Sequence, residues 1–375
     1  MKYLDMAADL AELGRGRTNP NPMVGAVIVK NHVVVGKGFH ERAGSPHAEV
    51  NALKDAGPKA RGATLFVTLE PCCFQGRTPP CTKAIIEAAI SEVVVGITDP
   101  NPEVSGEGIR VLRDAGVSVN VVGFRKIARQ NEAYFKYMRE KKPFITLKIA
   151  TSLDGKIAEA KGVKTRLSGD KAEVEVHKLR NEYQAIMVGV GTVLVDDPVL
   201  SCRLTGKGIR QPTRIIVDSR GRLPIDSRIV ETSPMSNVIL ATTDKITKKK
   251  IEAMEKSGVE VVVCRQNDKG KVDIEDLYKH LGKREITSLL VEGGSRLNDE
   301  LISNGMIDKL IILLTPMIIG GKKGVPIVGG KEAFWQAFEI SSHRYFDNDL
   351  VIEMYPKKTN KSRAQSEGGQ AILGV

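Results

Sequence analysis

Three things are scarce in this chain, and each scarcity narrows what it does. No apolar run reaches the roughly 18 residues that a membrane-spanning helix needs. The amino terminus, MKYLDMAADLAEL, is amphipathic and partly acidic, unlike a secretory signal. A cytoplasmic protein with no membrane partner is therefore expected. Cysteine is sparse and odd in number, five in 375 residues, which argues against a disulfide-stapled secreted scaffold and for a reducing compartment. Aromatic residues make up 5% of the chain, with one tryptophan, which is poor material for stacking nucleic-acid bases.

Positive charge, by contrast, is in excess: the formal net charge is +11. Clustered Lys and Arg are the usual footprint of polynucleotide binding. Part of the excess lies in the last stretch, where Lys357, Lys358, Lys361 and Arg363 face only Glu367. That stretch, 357–375, reads as a disordered tail. With so few aromatics, a small anionic substrate or cofactor accounts for the remaining charge better than a nucleic acid does.

At 41% hydrophobic and 27% charged the composition is that of a globular protein. Its length exceeds one usual core of about 100–200 residues, so two domains are expected. Strand and helix patterns alternate without a repeat, an α/β arrangement. Leu4, Ala7, Ala8, Leu10 and Leu13 have helical spacing, and VGAVIVK and HVVVGKG read as strands joined at Lys30-Asn31. A helix over 47–56, the strand ATLFVTL, a helix over 81–90, the strand EVVVGI, a helix over 107–116 and the strand VSVNVVG complete a first unit, 1–123. The charged segment 124–142 is helical in period and serves as a connector; Pro143 opens the second unit, 143–356. Strands are expected there near 144–150, 185–190, 213–218, 237–242, 259–264, 287–291 and 308–314.

What the chain does have is a local thiol cluster, EPCCFQGRTPPC (Glu70 to Cys81), downstream of SPHAEV. Ser45 is suited to cap a helix that begins at Pro46, placing His47 and Glu49 in its first turns, while Pro79-Pro80 precede a helix beginning at Cys81. A catalytic zinc takes three protein ligands and leaves a fourth position to water. His47, Cys72 and Cys81 supply that set, and Glu49 is left over for proton transfer. Histidine-x-glutamate followed by Pro-Cys and a later cysteine is the pattern of zinc deaminases. In that chemistry the pKa of zinc-bound water falls from 15.7 to about 7. The resulting nucleophile attacks the ring carbon bearing an amine, and Glu49 passes the proton to departing ammonia. A structural zinc completed by Cys73 is the competing reading; adjacent cysteines seldom both face one metal, so Cys73 reads as a packing residue, as do Cys202 and Cys264.

Eight residues separate Cys72 from Cys81, and GRTPP lies between them. With TNPNPMVGAV (Thr18 to Val27) and DPNP (Asp99 to Pro102), this resembles the bifunctional riboflavin-biosynthesis deaminase/reductase family over about residues 1–355. The resemblance implies a cytidine-deaminase-like three-layer amino-terminal domain followed by a dihydrofolate-reductase-like domain. It implies zinc on His47, Cys72 and Cys81, with Glu49 as the catalytic proton carrier, and a deaminase pocket lined by Asn21, His40, Arg77, Asp99 and Asn101. The implied substrate is 2,5-diamino-6-(5-phosphoribosylamino)pyrimidin-4-one. Residue 74 departs from the family, which commonly has histidine where Phe74 stands.

In the second unit the informative strings are TSLDGKIA (Thr151 to Ala158), VGVGTVLVDDPVLSCR (Val188 to Arg203) and LLVEGGSRLNDEL (Leu289 to Leu301). The last reads as strand, two glycines and helix, which lets backbone N–H groups approach a pyrophosphate. The same family resemblance implies NADPH at Ala150, Arg166, Ser168, Thr192, Asp196, Ser219, Gly294, Ser295 and Arg296. It implies reductase substrate at Lys164, Arg180, Leu200, Arg203 and Glu292, with the two arginines suited to a phosphate. Arg166-Leu167-Ser168 stands where many relatives read Trp-Ile-Thr. Asp154 lies in a turn-like S-L-D-G and is left without a role. Reduction of the ribosyl chain would yield 5-amino-6-(5-phosphoribitylamino)uracil, and relatives' assembly through the reductase domain implies a homo-oligomer. The alternative is a single-activity nucleobase or tRNA deaminase with a non-catalytic carboxy-terminal binding module.

Overall fold

The computed structural model describes residues 1–75, 79–206 and 208–357. Arg77 and the tail beyond Lys357 lie outside the described residues. The amino-terminal elements are α1 (Lys2–Glu12), β1 (Gly25–Lys30), β2 (Val33–Phe39), α2 (Ala48–Ala56), β3 (Thr64–Leu69), α3 (Cys81–Glu87), β4 (Glu92–Ile97), α4 (Glu107–Asp114), β5 (Ser118–Val121), α5 (Arg125–Gln130) and α6 (Glu132–Glu140). Five strands form one sheet in the order β2-β1-β3-β4-β5. β1 runs antiparallel to β2 and β3, while β3, β4 and β5 are mutually parallel.

Side chains alternate across these strands and feed two cores, as the two-residue period requires. Ala26, Ile28, Leu65, Val67, Val93 and Val95 pack with Ala52, Ile85 and Leu112 of the helices on one face. Val27 and Val29 point the other way, against Ala7 and Leu10 of α1. Helices on both faces of the sheet make the expected three layers. The approach of α2 to the sheet depends on glycine: a Cβ on Gly38 would sit 2.3 Å from the Ala48 carbonyl oxygen. Small residues on both sides thus set the height at which α2 presents its first turn.

Most expected elements appear, with boundary shifts of physical origin. The turn after β1 is Asn31-His32, one residue later than expected, and both residues adopt positive φ (49° and 65°), as a two-residue hairpin turn requires. α2 starts at Ala48 with His47 at its N-cap position, not at Pro46. Ser45 does not cap it: its hydroxyl donates to the Arg42 carbonyl (2.7 Å) and accepts from the Arg42 amide (3.2 Å), closing its own turn. The connector is two helices rather than one, broken at Asn131, whose side chain accepts from the Met23 amide (2.8 Å) and donates to the Met23 carbonyl (2.9 Å).

The remaining elements are β6 (Phe144–Thr151), β7 (Lys156–Ala158), α7 (Asp170–Glu182), β8 (Ala185–Gly189), α8 (Val190–Asp196), β9 (Thr213–Val217), α9 (Arg228–Glu231), β10 (Val238–Thr242), α10 (Lys248–Lys256), β11 (Val259–Val263), α11 (Ile274–Lys283), β12 (Ser288–Val291), α12 (Ser295–Ser303), β13 (Lys309–Leu314), β14 (Val325–Pro326), β15 (Phe338–Phe346) and β16 (Asp349–Pro356). All seven expected strands are present; β7, β14, β15 and β16 are additional. The chain forms two compact units. One comprises Met1–Phe144, Val176–Met187 and Pro198–Leu290; the other comprises Ile145–Glu175, Val188–Asp197 and the chain from Val291 onward. In the first, β11, β10, β9 and β8 are successive strands, with β10 parallel to both neighbours. In the second, β6 and β13 are parallel and β16 and β15 add an antiparallel edge.

Candidate functional site

Two helix starts and one loop build the metal centre. His47 stands at the amino end of α2, Cys81 is the first residue of α3, and Cys72 follows β3. His47 Nδ1 lies 3.5 Å from Cys72 Sγ and 3.3 Å from Cys81 Sγ, and the Cys81 amide donates to Cys72 Sγ at 3.4 Å. All three ligand atoms fall within 4.8 Å of one another. Cys73 is not a member of this group, so the structural reading with four protein ligands has no support here. The positive ends of two helices favour thiolate at this place. The hydrogen bond between the two thiols sets them apart: it lowers Cys72, helped by His47, and raises Cys81, helped by burial.

Glu49, one helical step beyond Ala48, is 3% exposed. Burial pushes its carboxyl up to about 7, against the pull of His47. It contacts Cys81 by a side-chain hydrogen bond, so it stands at the ligand cluster without belonging to it. A carboxyl that titrates near neutrality is suited to take and return a proton.

The residues around the centre are organised by hydrogen bonds that sequence spacing does not reveal. His40 is buried, and its ring meets that of His47 edge to face, centroids 5.2 Å apart. His40 Nδ1 must donate to the Pro46 carbonyl (3.2 Å), since a carbonyl only accepts; Nε2 then accepts from the Asn21 amide (3.2 Å). Burial lowers the pKa of His40, keeping it neutral. Asp99 accepts from the Asn101 amide (2.9 Å) and the Tyr134 hydroxyl (2.9 Å), and burial pushes it up to about 6. Asn101 also closes its own loop, accepting from the Glu103 amide (3.2 Å). Phe74 is 39% exposed.

Two residues missed in the sequence hold this arrangement. Tyr134 reaches Asp99 from α6. Glu70 is buried, and its carboxylate accepts from the amides of Asp99 (3.2 Å), Gly106 (3.1 Å) and Ile109 (3.2 Å). The glutamate beside the cysteine loop therefore caps α4 and fixes the backbone of Asp99. Its position before Pro71 was the only sequence signal.

In the unit containing β6, Gly294 precedes α12 and nothing but Thr192 Oγ1, at 3.7 Å, would meet a Cβ there. Asn298 is fully buried; its amide donates to the Ile327 carbonyl (3.0 Å), whereas its Oδ1 and the buried Ser295 Oγ have no partner. Arg296 is exposed, and Ala150 and Ser168 are half-buried. Burial raises Asp196 and nearby Lys164 pulls it back. Glu292 lies 3.9 Å from Lys148 of β6, a partner sequence reading missed. Arg166 is exposed and folded onto α7, paired with Asp170 and, at 3.7 Å, with Glu173. Asp154 accepts from Ser152 (2.6 Å) and from the amides of Ile319 (3.0 Å) and Gly320 (2.8 Å), which hold it down at about 2. It organises a loop and is unsuited to deliver a proton.

In the other unit, Arg180 donates to the Ser201 carbonyl (3.2 Å) and Leu200 is buried at φ 56°. Arg203 approaches His177 twice, its amide at Nδ1 (3.2 Å) and its Nε at Nε2 (3.0 Å). A neutral imidazole has one acceptor nitrogen, so each tautomer makes one of these bonds. Ser219 accepts from the Val272 amide (3.0 Å) and from Thr243 through its carbonyl (2.7 Å).

The family model for the RibD C-terminal domain matches residues 143–352, and that for the cytidine and deoxycytidylate deaminase zinc-binding region matches 1–97. Riboflavin biosynthesis protein RibD of Actinobacillus pleuropneumoniae is 42% identical over 333 residues, covering 88% of this chain and 87% of that one. The chain belongs to the RibD family. Two solved RibD structures are similar over 95% of this chain and 98% of theirs. RibD of Acinetobacter baumannii, form 1, has TM-score 0.87 at 33% identity. The diaminohydroxyphosphoribosylaminopyrimidine deaminase/5-amino-6-(5-phosphoribosylamino)uracil reductase of Thermotoga maritima has TM-score 0.82 at 37% identity.

Like RibD, this protein is a bifunctional riboflavin-biosynthesis enzyme, a zinc-dependent deaminase joined to an NADPH-dependent reductase. A non-catalytic carboxy-terminal module is not favoured, since the RibD reductase domain fills that half. The residues fit both groups. One imidazole and two sulfurs are a zinc donor set with a corner to spare. Open space at Gly294, the start of a nine-residue helix and the unpartnered Ser295 hydroxyl, which can donate, suit a phosphate-bearing cofactor. No helix among the described residues is long and apolar enough to cross a membrane.

Proposed function

We propose that the chain deaminates 2,5-diamino-6-(5-phosphoribosylamino)pyrimidin-4-one and then reduces the ribosyl unit with NADPH, giving 5-amino-6-(5-phosphoribitylamino)uracil. The convergence of His47, Cys72 and Cys81 beside the buried Glu49 carries the first step. When bound, zinc supplies the Lewis acidity that activates water. Glu49 receives the water's proton and returns it to the leaving ammonia. Asp99, held by Tyr134 and the Asn101 amide, and Asn21, oriented by His40, offer a carboxyl and an amide to the polar edge of the pyrimidine. Arg77 is assigned to this substrate by resemblance.

For the reductase step the proposed NADPH contacts are Ala150, Arg166, Ser168, Thr192, Asp196, Ser219, Gly294, Ser295 and Arg296. Lys164, Arg180, Leu200, Arg203 and Glu292 take the substrate. The backbone at Gly294 receives cofactor phosphate, and Arg180 and Arg203 engage substrate phosphate through paired N–H donors. The domains are 1–123 and 143–356, joined by 124–142. The enzyme works in the cytoplasm as a homo-oligomer, on a small phosphorylated pyrimidine and not on nucleic acid.

The test is a coupled assay on purified protein. With the diaminopyrimidine substrate, NADPH oxidation should lag behind ammonia release; with the deaminated compound it should start at once. NADPH oxidation of the diamino compound before any ammonia appears would contradict this order.

A further inference from the structure

Among the described residues, two groups bring three His, Cys, Asp or Glu ligand atoms within 4.8 Å of one another. One is the deaminase centre; the other is Cys264, Asp276 and His280. We propose that these three residues form a second site for a borderline divalent metal ion of the zinc type. Cys264 directly follows β11, is 4% exposed, and is fixed by its amide, which donates to the Thr242 carbonyl (2.8 Å). Asp276 and His280 lie four residues apart on α11 and so share a face. Asp273 holds the start of that helix, accepting from the amides of Glu275 (2.9 Å) and Asp276 (3.2 Å).

The separations suit one ion. His280 Nε2 is 3.6 Å from Asp276 Oδ2. Two donors at bond lengths of about 2.0–2.2 Å in a tetrahedron stand roughly 3.4 Å apart, so this pair needs little movement, and Cys264 Sγ lies within 4.8 Å of both. Asp276 is already anchored: Oδ1 accepts from Arg265 Nε (3.0 Å) and Oδ2 from the Arg265 amide (2.9 Å). Each carboxylate oxygen keeps a second lone pair, and such outer bonds orient a ligating carboxylate. The guanidinium of Arg265 opposes a cation, but Asp273 lies 3.7 Å from it, and Arg284 is paired with Glu260. Burial, Asp276 and Asp273 push the Cys264 thiol up to about 12, so a bound ion would take the place of its proton, and the thiolate so formed together with Asp276 and Asp273 outweighs Arg265. Sulfur, imidazole and carboxylate together select zinc or cobalt over magnesium or calcium.

The experiment measures bound metal on the full-length enzyme after loading with zinc or cobalt alone and removing the excess. Wild type should retain two ions per chain, and His280→Asn and Cys264→Ser one each, with deamination unchanged. In a Cys72→Ser, Cys81→Ser background, cobalt should still give a thiolate charge-transfer band, lost on adding His280→Asn. The last arm keeps the test valid where Cys264→Ser folds poorly, since His280 is partly exposed. One ion per chain in wild type, or a second ion indifferent to both substitutions, overturns the proposal.

Discussion

Replacing Glu70 tests whether the deaminase half depends on a buried carboxylate that touches no metal ligand. Its two oxygens accept from the amides of Asp99, Gly106 and Ile109 at 3.1–3.2 Å, and the bonds to Asp99 and Ile109 are buried. Glu70→Ala leaves these amides without an acceptor. At about 1–3 kcal/mol per orphaned buried group, the two buried amides alone cost roughly 2–6 kcal/mol, and about 4 is the expected loss. In a unit of this size about 1 kcal/mol moves a melting midpoint by ~2–4 °C, so a fall of roughly 8–16 °C follows. Glu70→Gln keeps one acceptor oxygen but turns an NH2 toward the other amides, and should lose roughly half as much. The assay is amide hydrogen exchange over residues 99–110 beside a thermal melt, with zinc content measured on the same samples. Exchange should quicken at Asp99, Gly106 and Ile109, and deamination should fall while zinc is retained. Native exchange rates at those amides with an unchanged midpoint would refute the reasoning.

Further outcomes follow from the same geometry. Asp99→Asn keeps an oxygen for Tyr134 and Asn101 but removes a carboxyl whose folded pKa, about 6, lies above the ordinary aspartate value of 3.8. A raised acid is stabilising below the unfolded pKa and costs stability as pH rises through the folded one. Unfolding free energies of the variant from denaturant titrations should therefore exceed wild type by up to about 3 kcal/mol near pH 8 and converge near pH 4; a pH-independent difference contradicts this. Glu49→Gln should cut ammonia release by about 10²–10⁴-fold while zinc content and the reductase rate stay normal, and near-normal deamination would remove Glu49 from its role. Asp154→Asn should loosen the loop at Ile319 and Gly320 and leave the pH profile of reduction unshifted; a displaced profile would make Asp154 the proton donor after all.

Much of the fold was legible because it is written in local patterns. Alternating apolar runs located the strands of both halves, and Pro79-Pro80 marked the start of α3 at Cys81. The hairpin of β15 and β16 escaped, although Asp347-Asn348 between alternating segments is a turn signal and Asp347 has φ 53°. β15 is largely exposed and β16 mostly half-buried, so the pair lacks the dense apolar stretch that made the others conspicuous. Ser45 was misread because a hydroxyl before a helix has several backbone partners, and Arg42 was nearer.

The sequence by itself determined the ligand chemistry: which side chains are thiol, imidazole and carboxylate, and that His47, Cys72 and Cys81 each stand beside a helix start or strand end. Those are properties of residue type and of neighbours within a few positions, where backbone preference acts. Tertiary structure alone decided the partnerships across tens of residues, such as Glu70 with the amide of Ile109, Tyr134 with Asp99, His177 with Arg203, and Cys264 with the Asp276–His280 face. Each arises from how helices settle on a sheet, a global balance of packing and burial that leaves no periodic mark in the chain.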